Sequence, residues 1–308
     1  MMIHYNYIGC DIAMAALDIF DARLGRLYRV DNEPLALRAF AQGLSADDFI
    51  VFEATGSHDR YLRQALSEAN ISYARLNPTT VRRFAQARGK RAKTDQIDAR
   101  TLSQMGAMFA LNADAPFDEN RERLTALACR RDQLVELRAV QLRQSSGVEE
   151  PLVDDDIASL ITELTGRIKS IDALIADQLK TVGDLAAQAA RLTSAPGVGP
   201  VTALTLIAHM PELGHISPKA IASLAGLAPY NNDSGTKQGK RSIRGGRSRV
   251  RRALYMAALG AIRACTRFKT FYTAIAQRSG SKKLAIIATA RKLLTVLNAM
   301  QRTNQNFA

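Results

Sequence analysis

The chain has 308 residues, with 42 Lys and Arg against 29 Asp and Glu, a formal net charge of +13 and no Trp. That length suits roughly two domains, and 47% hydrophobic content is ordinary for a globular protein. Three dispersed cysteines (Cys10, Cys129, Cys265) and four histidines (His4, His58, His209, His215) show no metal-ligand spacing, which argues against a zinc site and fits a reducing cytoplasm.

The distribution of charge says more than its sum. Residues 195–308 hold 18 Lys and Arg and only two acids, Glu212 and Asp233, a net +16, so the first 194 residues carry −3. A field of that sign favours a polyanion, nucleic acid before membrane. Asp11 and Asp18 interrupt any apolar run of a signal peptide, and Arg291 and Lys292 break the apolar residues 284–300.

Residues 7–13 (Tyr-Ile-Gly-Cys-Asp-Ile-Ala) predict a buried strand with one acid in it. Residues 16–20 and 27–30 predict two further strands joined near Gly25. A helix over 33–42 follows, then an apolar strand over 49–52, closed by Glu53. Ser57 is placed to cap a helix running to about residue 69, and residues 71–76 predict a short strand ended by Asn77-Pro78. The order β-β-β-α-β-α-β-α predicts a mixed α/β domain with helices covering a sheet.

Residues 81–93 form a basic segment with Arg82, Arg83, Arg88, Lys90, Arg91 and Lys93, interrupted at Gly89. The plainer reading is a solvated face; its position just before two acids favours a nucleic-acid contact. Those acids, Asp95 and Asp98 in Lys-Thr-Asp-Gln-Ile-Asp-Ala-Arg, stand three apart, on one face of a starting helix. Like charges one turn apart repel, so the pair either complements the helix dipole or holds a divalent cation.

Residues 119–144 predict a long polar helix, and residues 145–156 a break. Apolar positions then recur at alternating intervals of four and three from Ile157 to Leu192, with one polar member, Gln178. That is a coiled-coil seam, closed either as a hairpin arm or between subunits. Residues 194–200 (Ser-Ala-Pro-Gly-Val-Gly-Pro) end it before a helix over 201–209. A turn holding Gly197 and Gly199 between two helices resembles a helix-hairpin-helix element, whose amides meet a phosphate, or is simply a tight turn. Residues 221–227 predict a short helix, and residues 230–247 a Gly-rich basic loop with Lys237, Lys240, Arg241, Arg244 and Arg247. Residues 248–264 and 282–300 predict two closing amphipathic helices.

Asp11 inside a strand, Glu53 after a second strand and Asp95 and Asp98 on a helix are the carboxylates a two-metal phosphodiester site needs, with Mg2+ as the hard cation. The set in this order resembles the RNase H/Holliday-resolvase type of fold. Over nearly its whole length the chain resembles the DEDD transposases of bacterial insertion sequences, relatives of the pilin-gene invertases and bridge-RNA-guided recombinases. The blocks that carry this are Gly-Cys-Asp11-Ile-Ala, Phe-Glu53-Ala-Thr-Gly, Lys-Thr-Asp95-Gln-Ile-Asp98-Ala, Ala195-Pro-Gly-Val-Gly and Leu227-Ala-Pro-Tyr-Asn-Asn-Asp-Ser-Gly, continuing to Arg244-Gly-Gly-Arg.

The resemblance implies a RuvC-like catalytic domain over 1–115, a coiled-coil arm over 116–194 and a basic, mostly helical transposase domain over 195–308. It implies that Asp11, Glu53, Asp95 and Asp98 bind two Mg2+ ions. It implies that Ser234 attacks a DNA phosphodiester and holds the cut end covalently, where the residues alone read Asp-Ser-Gly as turn chemistry and leave Ser242, Ser248 and Tyr230 as competitors. The implied partners are donor and target DNA, an element-encoded guide RNA and further copies of the chain, a dimer becoming a tetramer when active, in a bacterial cytoplasm at the nucleoid. Because residues 195–308 hold almost no acid, chemistry at Ser234 would draw on carboxylates of the same or another subunit. The alternatives are a junction-resolving nuclease using water and a non-catalytic nucleic-acid-binding regulator.

Overall fold

A computed structural model describes residues 5–54, 56, 58–89, 95–230 and 241–308, without the side chains of 95–97. The chain divides into two compact units, Met1–Asp118 and Glu119–Ala308.

The first unit runs β1 (Asn6–Ile12), β2 (Ala16–Asp21), β3 (Arg26–Asp31), α1 (Pro34–Gln42), β4 (Asp48–Glu53), α2 (Arg60–Glu68), β5 (Ser72–Leu76), α3 (Pro78–Ala87) and α4 (Asp95–Phe109), the order expected from sequence with one helix more, α3, inside the basic segment. The sheet order is β3-β2-β1-β4-β5. β1–β2 and β2–β3 pair antiparallel, while β1–β4 and β4–β5 pair parallel. Alternation along the strands sorts side chains to two faces. Ile8, Cys10, Ile19 and Phe52 pack with Leu37 of α1 and Leu62 and Leu66 of α2. Phe49, Val51 and Ala74 face the other way, onto Val81 of α3 and Leu102 and Met105 of α4. β4 is covered on both faces, so Phe-Ile-Val-Phe reads as an unbroken apolar run.

α4 meets β1 backbone to backbone. A Cβ on Gly9 would lie 1.9 Å from the Ala99 carbonyl oxygen and 2.6 Å from the Ser103 amide. Ser103 Oγ donates to the Tyr7 carbonyl at 2.6 Å, and Gly106 lies against the Tyr7 ring. Ala99, Ser103 and Gly106, spaced four and three apart, give α4 a stripe of small residues that lets it sit this low. The N-cap position of α2 is Asp59, whose fully buried carboxylate accepts from Arg63 Nε and Arg75 Nε, both at 2.9 Å. Ser57, the expected cap, lies outside the described residues.

The second unit runs α5 (Glu119–Ser145), α6 (Pro151–Thr181), α7 (Gly183–Thr193), α8 (Pro200–His209), α9 (Pro218–Leu224), β6 (Pro229–Tyr230), β7 (Ser242–Ile243), α10 (Ser248–Ala264), α11 (Thr266–Ser279) and α12 (Lys282–Thr303). α5 and α6 form an antiparallel hairpin. Gln178 donates to Asn120 at 3.1 Å, Arg131 to Asp172 at 2.5 Å, Arg138 to Thr165 at 3.3 Å and Ser145 to Asp154 at 3.1 Å, successive rungs along the pair. The buried residues of α6 (Ile157, Leu164, Ile168, Ile175, Gln178) all belong to the predicted seam.

Three expectations need correction. The break after α5 is shorter than residues 145–156, because Pro151 starts α6, where a missing amide costs nothing, and the Glu150 carboxylate caps it. Asp154, Asp155 and Asp156 are therefore helical. The seam is not carried by one helix: the backbone extends at Val182 (φ −111, ψ 95) and α7 starts afresh at Gly183. α11 was not foreseen; Phe268 is its one fully buried residue, so its sequence carries little apolar period. Leu124, Ala128, Ile175 and Leu185 share one core with Leu204, Leu254 and Leu293, so the base of the hairpin packs with the C-terminal helices. Among the described residues no helix is long and apolar enough to cross a membrane.

Candidate functional site

In the first unit the site is a row across the sheet. Asp11 is paired directly with Asp18, and Asp18 with Arg29. On the other side the β1–β4 register ends at Cys10–Phe52, so Glu53 is the next neighbour of Asp11, and Glu53 pairs with Leu76. Cys10 and Phe52 belong to the α1–α2 face. Alternation therefore turns Arg29, Asp18, Asp11 and Glu53 to the face covered by α3 and α4. Asp11, Asp18 and Glu53 are each half-buried.

α4 runs antiparallel to β1. Ser103 bonds the Tyr7 carbonyl and Ala99 lies at Gly9, so four residues of helix, about 6 Å, match two of strand. One turn before Ala99 comes Asp95, the first residue of α4, and two residues beyond Gly9 comes Asp11. The acid-bearing turn of α4 thus starts at the end of β1 that carries Asp11. Arg100, in the same part of the helix, lies over the Phe20 ring of β2 at 4.5 Å. Asp98 is half-buried, and the side chain of Asp95 lies outside the described residues. Among the described residues no three His, Cys, Asp or Glu side chains group to hold a metal. Asp18 escaped sequence reasoning; a lone acid in the middle of a strand otherwise built of buried residues was the signal.

Arg82 and Arg83 are exposed on α3 beside buried Val81. Arg88 lies over Phe84 at 5.8 Å and donates to Gln104. Lys90, Arg91 and Lys93 lie outside the described residues.

In the second unit the predicted basic loop is closed at its root. Pro229 pairs with Ile243 and Tyr230 with Ser242. Ser234, Lys237 and Lys240 lie outside the described residues. Gly226 and Gly246 cross so closely that a Cβ on Gly246 would sit 2.2 Å from the Gly226 nitrogen. Arg251 donates to the Gly245 carbonyl at 2.6 Å. Arg241 is exposed, and Arg244 stacks over Tyr230 at 5.2 Å. Arg247, expected to bind nucleic acid, is held internally: it forks onto Glu212 at 2.6 and 2.7 Å and donates to the His209 carbonyl at 2.9 Å. Burial works to raise the Glu212 pKa, but the Arg247 pairing outweighs it and holds the carboxyl below its usual range. Gly197, at φ +80, is explained by packing, since a Cβ would lie 2.3 Å from both Ala257 O and Ala261 N of α10. Gly199 is exposed at the N-cap of α8, and a Cβ added there would meet nothing within 4 Å.

Burial and the neighbouring Arg249 push His209 down to about 4, against a smaller opposing pull from Asp132. Its folded pKa lies below the ordinary 6.5, so within that window the unfolded chain binds a proton the folded chain does not. Stability is full above the window and falls as pH drops through it. Discounted for partial exposure, the loss is about 1–2 kcal/mol. Urea unfolding at neutral pH and at the acid end of that window should show it, and His209→Gln should flatten it.

A family model described as "Transposase IS116/IS110/IS902 family" matches residues 189–273, and the DEDD transposase model of the IS110 type matches residues 11–148. The chain is 31% identical over 266 residues to the pilin gene-inverting proteins of Moraxella bovis and Moraxella lacunata, covering 84% of this chain and 81% of each relative. It is 37% identical over 114 residues to the 43.6 kDa protein of insertion element IS110 from Streptomyces coelicolor, covering 36% of this chain and 28% of that protein. Transposase family models thus match stretches of both the mixed α/β unit and the basic helical unit. The chain belongs to the IS110 family of transposases and recombinases.

Proposed function

We propose that this protein cuts and rejoins DNA with divalent-metal help, through a covalent bond between Ser234 and a DNA phosphate. The carrying observation is that Asp11 and Glu53 are register neighbours on one face of a sheet, with the first turn of α4 arriving at the same strand end. The first unit is in this reading RNase H/RuvC-like, in line with the DEDD family model. The donors fit Mg2+: Asp11, Glu53, Asp95 and Asp98 offer only hard carboxylate oxygens, and the like charges of Asp18, Asp11 and Glu53 in adjacent strands favour a cation between them. When bound there, Mg2+ supplies charge stabilisation at the phosphoryl and leaving oxygens.

The remaining steps belong to the chain. The Ser234 hydroxyl loses its proton as its oxygen bonds phosphorus. The P–O bond to the departing strand breaks, and that oxygen leaves as a hydroxyl. Attack by the hydroxyl of a new strand reverses the step, restoring a phosphodiester and freeing the serine. Arg241 and Arg244, beside Lys237 and Lys240, offset phosphate charge, while Arg247 and Glu212 fix the root of the loop. The family resemblance adds an element-encoded guide RNA and a dimeric or tetrameric assembly to this reading, and the apolar seam adds the α5–α6 hairpin as a coiled-coil arm.

The test is a protein–DNA adduct that survives denaturation. It should form with the wild type and with Ser242→Ala and disappear with Ser234→Ala. Strand cleavage by Ser234→Ala at the wild-type rate would instead make water the nucleophile and the protein a junction-resolving nuclease. Affinity for DNA should also fall roughly 10³-fold or more between 50 and 200 mM salt, since many phosphate contacts release counterions. A flat salt response in a fluorescence anisotropy titration would remove the basic C-terminal residues from the interface.

A further inference from the structure

Between β7, α10 and α12 lies a cavity of about 360 Å3. It is lined by Leu227, Ile243 and Ile287, by the ring-bearing Tyr255, and by Arg251, Arg252 and Lys283. Among the described residues Arg252 and Lys283, both exposed, have no ion-pair partner. The only two acids in residues 195–308 are Asp233 and Glu212, and Glu212 is engaged by Arg247. The cavity therefore combines apolar and aromatic lining with two exposed, uncompensated cations. A lipid-like or purely apolar occupant does not need the cations, and a free anion does not need the apolar lining. A nucleotide uses both: its base can stack on an aromatic ring while cations meet its phosphate. The volume is at the low end for small-molecule pockets, about 300–1,000 Å3, which suits one nucleotide and not a duplex.

We infer that this cavity takes a single unstacked nucleotide of bound DNA, its base against Tyr255 and its phosphate on Arg252 and Lys283. The inference rests on the reading above that the chain handles DNA strands, and adds where one nucleotide is held. Its placement is apt: Ile243 belongs to the strand closing the loop that carries Ser234, and Arg251 ties the cavity wall to the loop root through the Gly245 carbonyl. A nucleotide drawn out here would hold the strand in register beside that loop.

The chain has no Trp, so Tyr255→Trp supplies a sole indole reporter in the full-length protein. Titration with a single-stranded oligothymidylate should quench its emission by about half or more as anisotropy of the same labelled strand saturates. The Tyr272→Trp control on α11 should stay unquenched. Tyr255→Ala should weaken binding about tenfold without changing its salt slope. Arg252→Gln with Lys283→Gln should weaken binding and lower the slope by up to about two; these exposed changes keep the test open if the indole variant does not fold. Saturated anisotropy with unchanged Tyr255→Trp emission would overturn the cavity and leave the DNA reading standing. Quenching by oligouridylate but not by the DNA strand would overturn the assignment to DNA. Absence of any DNA binding by the wild type would overturn both.

Discussion

Asp11→Asn should abolish DNA strand cleavage and leave the protein folded. The change keeps size and shape and removes one charge. Substituting a residue that merely orients a metal ligand costs about 10–100-fold, and a ligand costs at least as much, so the loss should be a hundredfold or more. Stability should move the other way. Asp18, Asp11 and Glu53 are neighbours across adjacent strands, and like charges facing each other across a sheet are destabilising by some tenths of a kcal/mol. Removing the middle one should leave the unfolding midpoint unchanged or slightly higher. Glu53→Gln should behave alike. A cleavage assay beside calorimetry separates the readings, and undiminished cleavage by Asp11→Asn would take this residue out of the chemistry.

The largest structural effect should come from one methyl group at Gly9. The atoms a Cβ would strike, Ala99 O and Ser103 N, are the acceptor and donor of one helical hydrogen bond, and no side chain can swing aside. Gly9→Ala must lift α4 from β1 or break that turn. Overpacking in a core costs about 1–3 kcal/mol when neighbours can shift; here only backbone can, so about 3 kcal/mol or more is expected. Lifting α4 also breaks the Ser103–Tyr7 hydrogen bond and moves Asp98 from β1. Thermal unfolding should fall by on the order of 10 °C, and any folded fraction should cleave poorly. An unchanged midpoint would show that α4 does not seat on Gly9.

The strands of the first unit were legible because each is a short run rich in apolar, β-branched or aromatic residues, and β4, covered on both faces, is apolar from Phe49 to Phe52; α3 was hidden within a basic segment. Asp11 and Glu53 stood out as charges in or beside such runs, and Asp95 and Asp98 as a like-charged pair three residues apart at a helix start. What escaped depends on pairing. Asp18 became a neighbour of Asp11 only through the β1–β2 register, and Gly9 gained meaning only once α4 lay over it. The seam from Ile157 to Leu192 marked the buried face correctly but not the stop at Val182, because the pattern reports which residues pack and not whether the backbone between them is continuous. Arg247 read as one more cation in a basic loop; Glu212, 35 residues earlier, claims it.

The seat of α4 on Gly9 bears on how this family can evolve. A helix placed by its own backbone on the backbone of a strand has no rotamer in its foundation. The two cores on either side of the sheet can exchange Ile for Val or Leu, drift in volume and repack, and the joint between helix and strand keeps its height. Divergence should therefore accumulate in the hydrophobic layers well before it reaches Gly9, Ala99, Ser103 or Gly106, and a relative that replaces Gly9 with a larger residue should carry a compensating bulge in one of the two elements.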